Sequence, residues 1–442
     1  MTARQALRSG MVPDRPFPAA GRQALLDAAE RSDPFGHTLH MAAALAWCFA
    51  HPVANAPEAI AWGFLLAIAL ARVPRIWRVY AAALRDPLWI ALAVWALALS
   101  VSVAWTPEPV RGLRQAMPER SILTPLMLWP VAGRIGALLC AMAAGCLLQC
   151  GSLLLMSRTD DGWRLYTDVR AISPWGPLQW IVHLSACVFA LGAWRLRGRA
   201  RAAAVVGLLA SLACIVPMSS RMLSVAAVLS LAVFAWRVPR SAVARASALA
   251  AALVLASAAV IVLTPAGDRM RRSAAASPTK AEATTGHRLA ELTGYRSALL
   301  EVGFAMGSEH WLRGCGRRSF TVLLPEVANR LAEEAPNPAD ARRFRTLSHS
   351  GLNDSHNLVL SAWIEGGVVA AAAISVAVFG LGMRLWRQSL ADPLGVFAMM
   401  AYAIVLVGVF TGIVTTRAGM AALGLCLVVS WRQQGARTAT PA

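Results

Sequence analysis

The stretch "SHSGLNDSHNLVLSAWIEGGVVAAA", residues 348–372, starts as a polar loop and ends as a helix apolar enough for a membrane. His356 falls at the join, and Glu365, Gly366 and Gly367 interrupt the apolar run. Asn353, Asp354 and Ser355 are residue types that cap helix N-termini, so the pattern predicts a helix starting beside His356. Such a start offers orphan N–H donors and a partial positive charge, which suit an anion. The same field disfavours imidazolium, so a ring at this position is placed to accept a proton. The plainer reading is a capped helix with an interfacial histidine at its mouth.

Outward from this stretch, apolar runs near the length of a membrane-spanning helix, roughly 17–25 residues, recur along the chain. They lie near 37–54, 57–73, 87–105, 121–133, 135–157, 175–194, 200–217, 220–236, 243–264, 356–383, 392–413 and 416–431, with a short fourth run that ends at Arg134. Composition agrees: the 442 residues are 57% hydrophobic and 15% charged, with mean hydropathy +0.54, where soluble domains carry roughly 25% charged residues. The expected fold is an all-α polytopic membrane protein of about 12 transmembrane helices with one large, partly helical external loop. The expected division is a cytoplasmic segment 1–36, transmembrane helices 1–9 over 37–264, the loop 265–355, transmembrane helices 10–12 over 356–431 and a cytoplasmic tail 432–442. Residues 1–36 lack the apolar centre of a cleavable signal peptide, so the first span is expected to act as an uncleaved insertion signal.

The net charge of +19 raises nucleic acid as a partner, and its distribution argues against one. The arginines gather in short clusters between apolar runs, such as Arg72, Arg75, Arg78 and Arg85, or Arg195, Arg197, Arg199 and Arg201. By the positive-inside rule these loops and both termini are cytoplasmic, and the turn "HPVANAPE" (residues 51–58), free of Lys and Arg, faces the other side. Arg111, Arg114, Arg120, Arg158, Arg164 and Arg170 then fall outside, either as local exceptions or as ligands for an external anion. Apart from Cys315 the cysteines sit in apolar runs, where they act as small hydrophobes, and no metal-type spacing occurs.

A loop as long as 265–355 implies a job. Arg288, Leu292, Tyr295, Leu299, Val302 and Met306 repeat at helical spacing, and a second short helix is expected after "EEAPNPAD" (residues 333–340). Arg288 lies on the apolar stripe and Arg296 near its edge, so each calls for a carboxylate or a bound phosphate. "MSSRMLSV" (residues 218–225) opens the eighth span on the external side. There Ser220 and Arg221 pair another outward helix start with a fixed cation, which suits phosphate or else a snorkelling arginine. Glu365 projects away from His356 and reads as a bond to another element, with Gly366 and Gly367 allowing close helix packing. No nucleotide loop, metalloprotease or serine-hydrolase motif is present. Asp160 and Asp161 read as a solvated turn, so the expected chemistry uses neither metal nor cofactor.

Together these pieces resemble the O-antigen ligase and polymerase superfamily of bacterial membrane glycosyltransferases. The resemblance rests on the spans, on the "SSR" opening one of them, on "WLRGCGRRSF" (residues 311–320) and on "DSHNLVLSAWIEGGVVA" (residues 354–370). With one dominant external loop, the chain looks most like the ligase that finishes lipopolysaccharide. The resemblance implies a GT-C-like, metal-independent, inverting enzyme of the bacterial inner membrane. Its donor would be a glycan on undecaprenyl pyrophosphate, its acceptor lipid A-core, and its site periplasmic among membrane lipids. It carries a catalytic role to His356, as general base or as a residue that binds pyrophosphate or orients the acceptor, pyrophosphate binding to Arg221 and to Arg288 or Arg296, and supporting roles to Asn357 and Ser220. Rival readings are an O-antigen polymerase, a protein oligosaccharyltransferase, or a flippase for a polyprenyl-linked glycan.

Overall fold

A computed structural model describes residues 19–110, 112, 117–159, 162–163, 178–218, 229–230, 296–349, 355–388, 393–409 and 417–433. These residues are helical apart from connecting turns and one two-residue antiparallel ladder, Arg158–Thr159 with Gly162–Trp163. The first helices are α1 (Ala19–Ser32), α2 (Pro34–Val53), α3 (Asn55–Leu84) and α4 (Pro87–Val101), followed by the short α5 (Leu123–Leu128). Next come α6 (Ile135–Ser157), α7 (Leu178–Arg195) and α8 (Gly198–Met218). The loop contributes α9 (Arg296–Glu309), α10 (Ser319–Glu334) and α11 (Pro338–Ser348). The chain then returns to the bundle with α12 (Leu358–Gln388), α13 (Pro393–Val409) and α14 (Arg417–Gln433).

Among the described residues, four helical stretches are long and apolar enough to cross a membrane: Asn55–Leu84, Pro87–Trp105, Arg120–Ser152 and Leu358–Arg387. The protein is thus a helical, multi-pass membrane protein. Each expected span has a helical counterpart, except the eighth and ninth, 220–236 and 243–264, which lie almost wholly outside the described residues. Local chemistry fixes the starts. Asp33 caps α2 by accepting from Gly36 N at 3.1 Å, and Asp86 caps α4 by accepting from Leu88 N at 2.9 Å. Proline follows each cap, where its missing N–H costs nothing. In α3, Pro74 removes a ladder donor and the chain bends at Ile76, with the Tyr80 hydroxyl donating back to Ala69 O at 3.2 Å.

Arg120–Ser152 folds back at Arg134, and its first limb, the expected short fourth span, changes helix type. It runs as a 3₁₀ turn (Met117–Ile122), α5 and a second 3₁₀ stretch (Trp129–Arg134). Rises of about 2.0 Å and 1.5 Å per residue give roughly 33 Å in all, close to a hydrocarbon core. Its ends are pinned apart: Arg120 donates to Glu58 at 3.2 Å, and Arg134 donates to Glu30 at 3.2 Å. Midway, the Met127 carbonyl lies 2.7 Å from His40 Nε2, whose other ring nitrogen accepts from Arg72 at 3.0 Å. The chain reverses at Arg134, because α6 brings Gly145 against Phe49 and Pro52 at the far end of α2.

The bundle therefore has two distinct ends. One gathers the arginine-rich turns and both described extremities: Arg22 donates to Trp431 O at 3.4 Å, Arg384 to Asp86 at 2.8 Å and Arg72 to Asp33 at 2.9 Å. The opposite end carries Glu58, Ser102, Thr106 and the loop helices. Between them α4 and α12 run antiparallel, with Gly366 against Leu99 and Gly380 against Leu88.

Candidate functional site

The helices of the loop form their own core. Leu299, Val302 and Met306 of α9 pack with Phe320 and Leu324 of α10 and Phe344 of α11, and onto Leu360 and Ile364 of α12. Arg343 clasps Glu301 through two bonds of 2.7 and 2.8 Å, tying α11 to α9. The helix α10 was not expected from sequence, although Phe320, Leu324, Val327 and Leu331 repeat at helical spacing. The first turns of α12 are shared: Leu358 and Ala362 face the bundle core while Leu360 and Ile364 face the loop core.

His356 sits at that seam with φ +53°, in the left-handed region. Non-glycine residues there are uncommon, and such outliers cluster at functional sites. The sequence pattern put the cap at Asn353, Asp354 or Ser355; the structure puts it at Asn357. Its side-chain oxygen accepts from Leu360 N at 3.0 Å and its carbonyl accepts from Ser361 N at 2.8 Å. Ser355 braces the turn, with its hydroxyl 3.1 Å from Asn357 O and 2.8 Å from Ser361 Oγ. The left-handed turn at His356 delays the helix to Leu358, so the ring precedes the first helical N–H groups instead of joining them.

Beyond Ile364 the helix breaks. Gly367 has φ +73° and ψ −170°, a conformation open in practice only to glycine. The break frees backbone groups, and the segment Trp311–Arg318 docks to satisfy them. Cys315 N donates to Ile364 O at 2.6 Å, Gly316 N to Glu365 O at 3.1 Å and Val368 N to Trp311 O at 2.9 Å. Gly314 (φ +73°) and Gly316 (φ +98°) turn this segment, and a Cβ on either would lie 2.7 Å from facing backbone. Arg317 ion-pairs with Glu365. Its N–H donates to Ser102 O at 3.4 Å and its carbonyl accepts from the Thr106 hydroxyl, which ties the loop to the end of α4. Burial, reinforced by the Glu309 charge, pushes the Cys315 thiol up to about 11, so it stays protonated and unreactive.

Sequence reasoning assigned Glu365 a bond to another element and the two glycines close packing. Gly366 does approach α4, but Gly367 is a hinge point and the partner of Glu365 is a loop arginine. Neither Arg317, Ser102 nor Thr106 was singled out; the only signal for Arg317 is its place directly after "GCG".

Arg296 opens α9. Gly303 meets Leu360 and Ile364, Gly307 meets Trp363, and Trp363 Nε1 donates to Trp311 O at 3.1 Å. Contacts thus advance together along α9 and α12, so the two helices run parallel and Arg296 lies at the same end as His356. Ser220, Arg221 and Arg288 lie outside the described residues, as do Asp160 and Asp161. Arg120, one of the arginines expected to face outward, is held by Glu58 and over the Trp62 ring at 5.0 Å.

Residues 206–375 match a protein-family model described as O-antigen ligase. The match runs from within α8 into α12 beyond its break, and so takes in Arg221, Arg288, Arg296, the docked segment and His356. No curated protein matches the chain.

Proposed function

The match over residues 206–375 supports an O-antigen ligase-family assignment, and from it we propose that the chain transfers an O-antigen polysaccharide from undecaprenyl pyrophosphate to a sugar hydroxyl of lipid A-core. The reading puts the chain in the bacterial inner membrane with the arginine-rich end and both termini cytoplasmic and the His356 end periplasmic. In this reading the acceptor oxygen attacks the anomeric carbon, the bond from that carbon to the pyrophosphate oxygen breaks, and His356 takes the hydroxyl proton. A single displacement inverts the anomeric centre. Arg296, and with it Arg221 and Arg288, neutralises the leaving pyrophosphate together with the N–H groups that begin α12. Asn357 holds the helix start, and Ser220 would do the same for Arg221. The polyprenyl tail of the donor lies in the bilayer, so the donor enters sideways, and the loop helices cover the site and select the acceptor.

The observation that carries this reading is the placement of His356, in a left-handed turn at the mouth of α12, at the same end as Arg296. Purified protein given undecaprenyl-pyrophosphate glycan and lipid A-core, with EDTA present, should yield glycosylated lipid A-core. Lengthened donor chains would point to a polymerase, glycosylated protein to an oligosaccharyltransferase, and donor movement without any transfer to a flippase.

A further inference from the structure

Part of the apolar surface of the loop helices is turned away from their own core. Phe304, Trp311 and Leu312 are 57%, 57% and 61% exposed. They form one patch: Phe304 meets Trp363 edge-on with ring centroids 5.8 Å apart, and the Trp311 carbonyl accepts from both Trp363 Nε1 and Val368 N. A contiguous aromatic patch of this kind marks an interaction surface, whereas scattered apolar residues do not.

Its position says what it meets. The patch continues at Val368 and Val369 into the exposed face of α12, where Val376, Phe379, Met383 and Trp386 look outward along a membrane-spanning helix. From Val368, beside Trp311, to Trp386 is eighteen residues, which at ~1.5 Å per residue is about 27 Å, against a hydrocarbon core of about 30 Å. Trp311 and Trp386 therefore stand one bilayer core apart, where indoles collect at the two interfaces. Arg313, exposed next to Leu312, supplies a cation at headgroup level.

We propose that the Phe304–Trp311–Leu312 face seats the loop in the outer interface of the bilayer that α12 crosses. The docked segment then serves twice, satisfying the broken helix on one side and dipping into lipid on the other. The loop is held at a fixed height, and α9, with Arg296 at its start, is held with it.

The test uses the full chain in phosphatidylethanolamine–phosphatidylglycerol vesicles, with Cys140, exposed among the described cysteines, replaced by serine. Nitroxide is attached at Leu312→Cys and, independently, at Phe304→Cys, and the signal of the Cys140→Ser protein is subtracted. Collision with oxygen and with a nickel chelate is compared with labels at Val376→Cys, facing lipid, and Glu333→Cys, on exposed α10. Both patch labels should lose nickel access and gain oxygen access as the Val376 label does. Nickel access equal to that at Glu333 overturns the proposal, and so does dipolar broadening between labels, which would put a second copy of the chain on the patch.

Discussion

Replacing Gly367 by alanine should undock the Trp311–Arg318 segment from α12. A Cβ there would fall 2.0 Å from the Leu312 carbonyl oxygen and 2.5 Å from its carbon, both backbone atoms that cannot swing aside. Holding alanine at φ +73° and ψ −170° costs about 1–3 kcal/mol. If the segment leaves instead, the bonds from Cys315 N, Gly316 N and Val368 N are lost, at about 1 kcal/mol each. Strain of this size, with the Cβ overlap added to it, matches the roughly 3 kcal/mol that these bonds supply, enough to make the undocked state populated. Hydrogen exchange on the purified protein reads this directly: protection at Cys315, Gly316 and neighbouring amides should collapse in Gly367→Ala, while α6 and α13 keep theirs. Gly63→Ala, where a Cβ meets nothing within 4 Å, should leave the pattern intact. Unchanged protection at 314–316 in Gly367→Ala would mean that the segment docks without a glycine at 367.

The Arg317–Glu365 pair is largely buried, so Arg317→Ala leaves the buried Glu365 carboxylate without its arginine and should cost about 3–5 kcal/mol, while adding Glu365→Ala recovers part of that loss, as thermal unfolding in detergent would show. Asn357→Ala removes the cap of α12 and should lower stability by about 1 kcal/mol, with a larger loss of transfer than of folding because His356 is the adjoining residue. Arg72, donating to Asp33, holds that carboxyl below the usual carboxylate range. With the folded value depressed, the stabilisation is present above the unfolded value of about 3.9 and is lost as pH falls through the folded value. Asp33→Asn should therefore lower the melting temperature at neutral pH and flatten the acid limb of the stability curve.

The helical, multi-pass character was legible because hydropathy runs are a local property. The turn at Arg134 could also be read, since an apolar run ends there, although the 3₁₀ stretching before it has no sequence signature. The short helix expected after "EEAPNPAD" is α11, which begins inside that stretch at Pro338 under an Asn337 cap. The break in α12 was not legible. Glu365-Gly366-Gly367 in an apolar run fits close helix packing equally well. Only the segment around Gly314 and Gly316, about fifty residues earlier in the chain, makes the left-handed conformation at Gly367 worthwhile. The cap was misplaced for a similar reason: four consecutive residues from Asn353 to His356 precede Asn357, three of them capping types, and composition does not say which one turns the chain. The side-chain partner of Glu365 needed a contact across forty-eight residues, which periodicity does not report.

The chemistry proposed for the mouth of α12 is tested at His356. Purified His356→Ala, compared with wild type for transfer of glycan from undecaprenyl pyrophosphate to lipid A-core in the presence of EDTA, should form no product while still binding donor and keeping the wild-type melting temperature. Wild-type transfer by the variant would place the chemistry away from the mouth of α12.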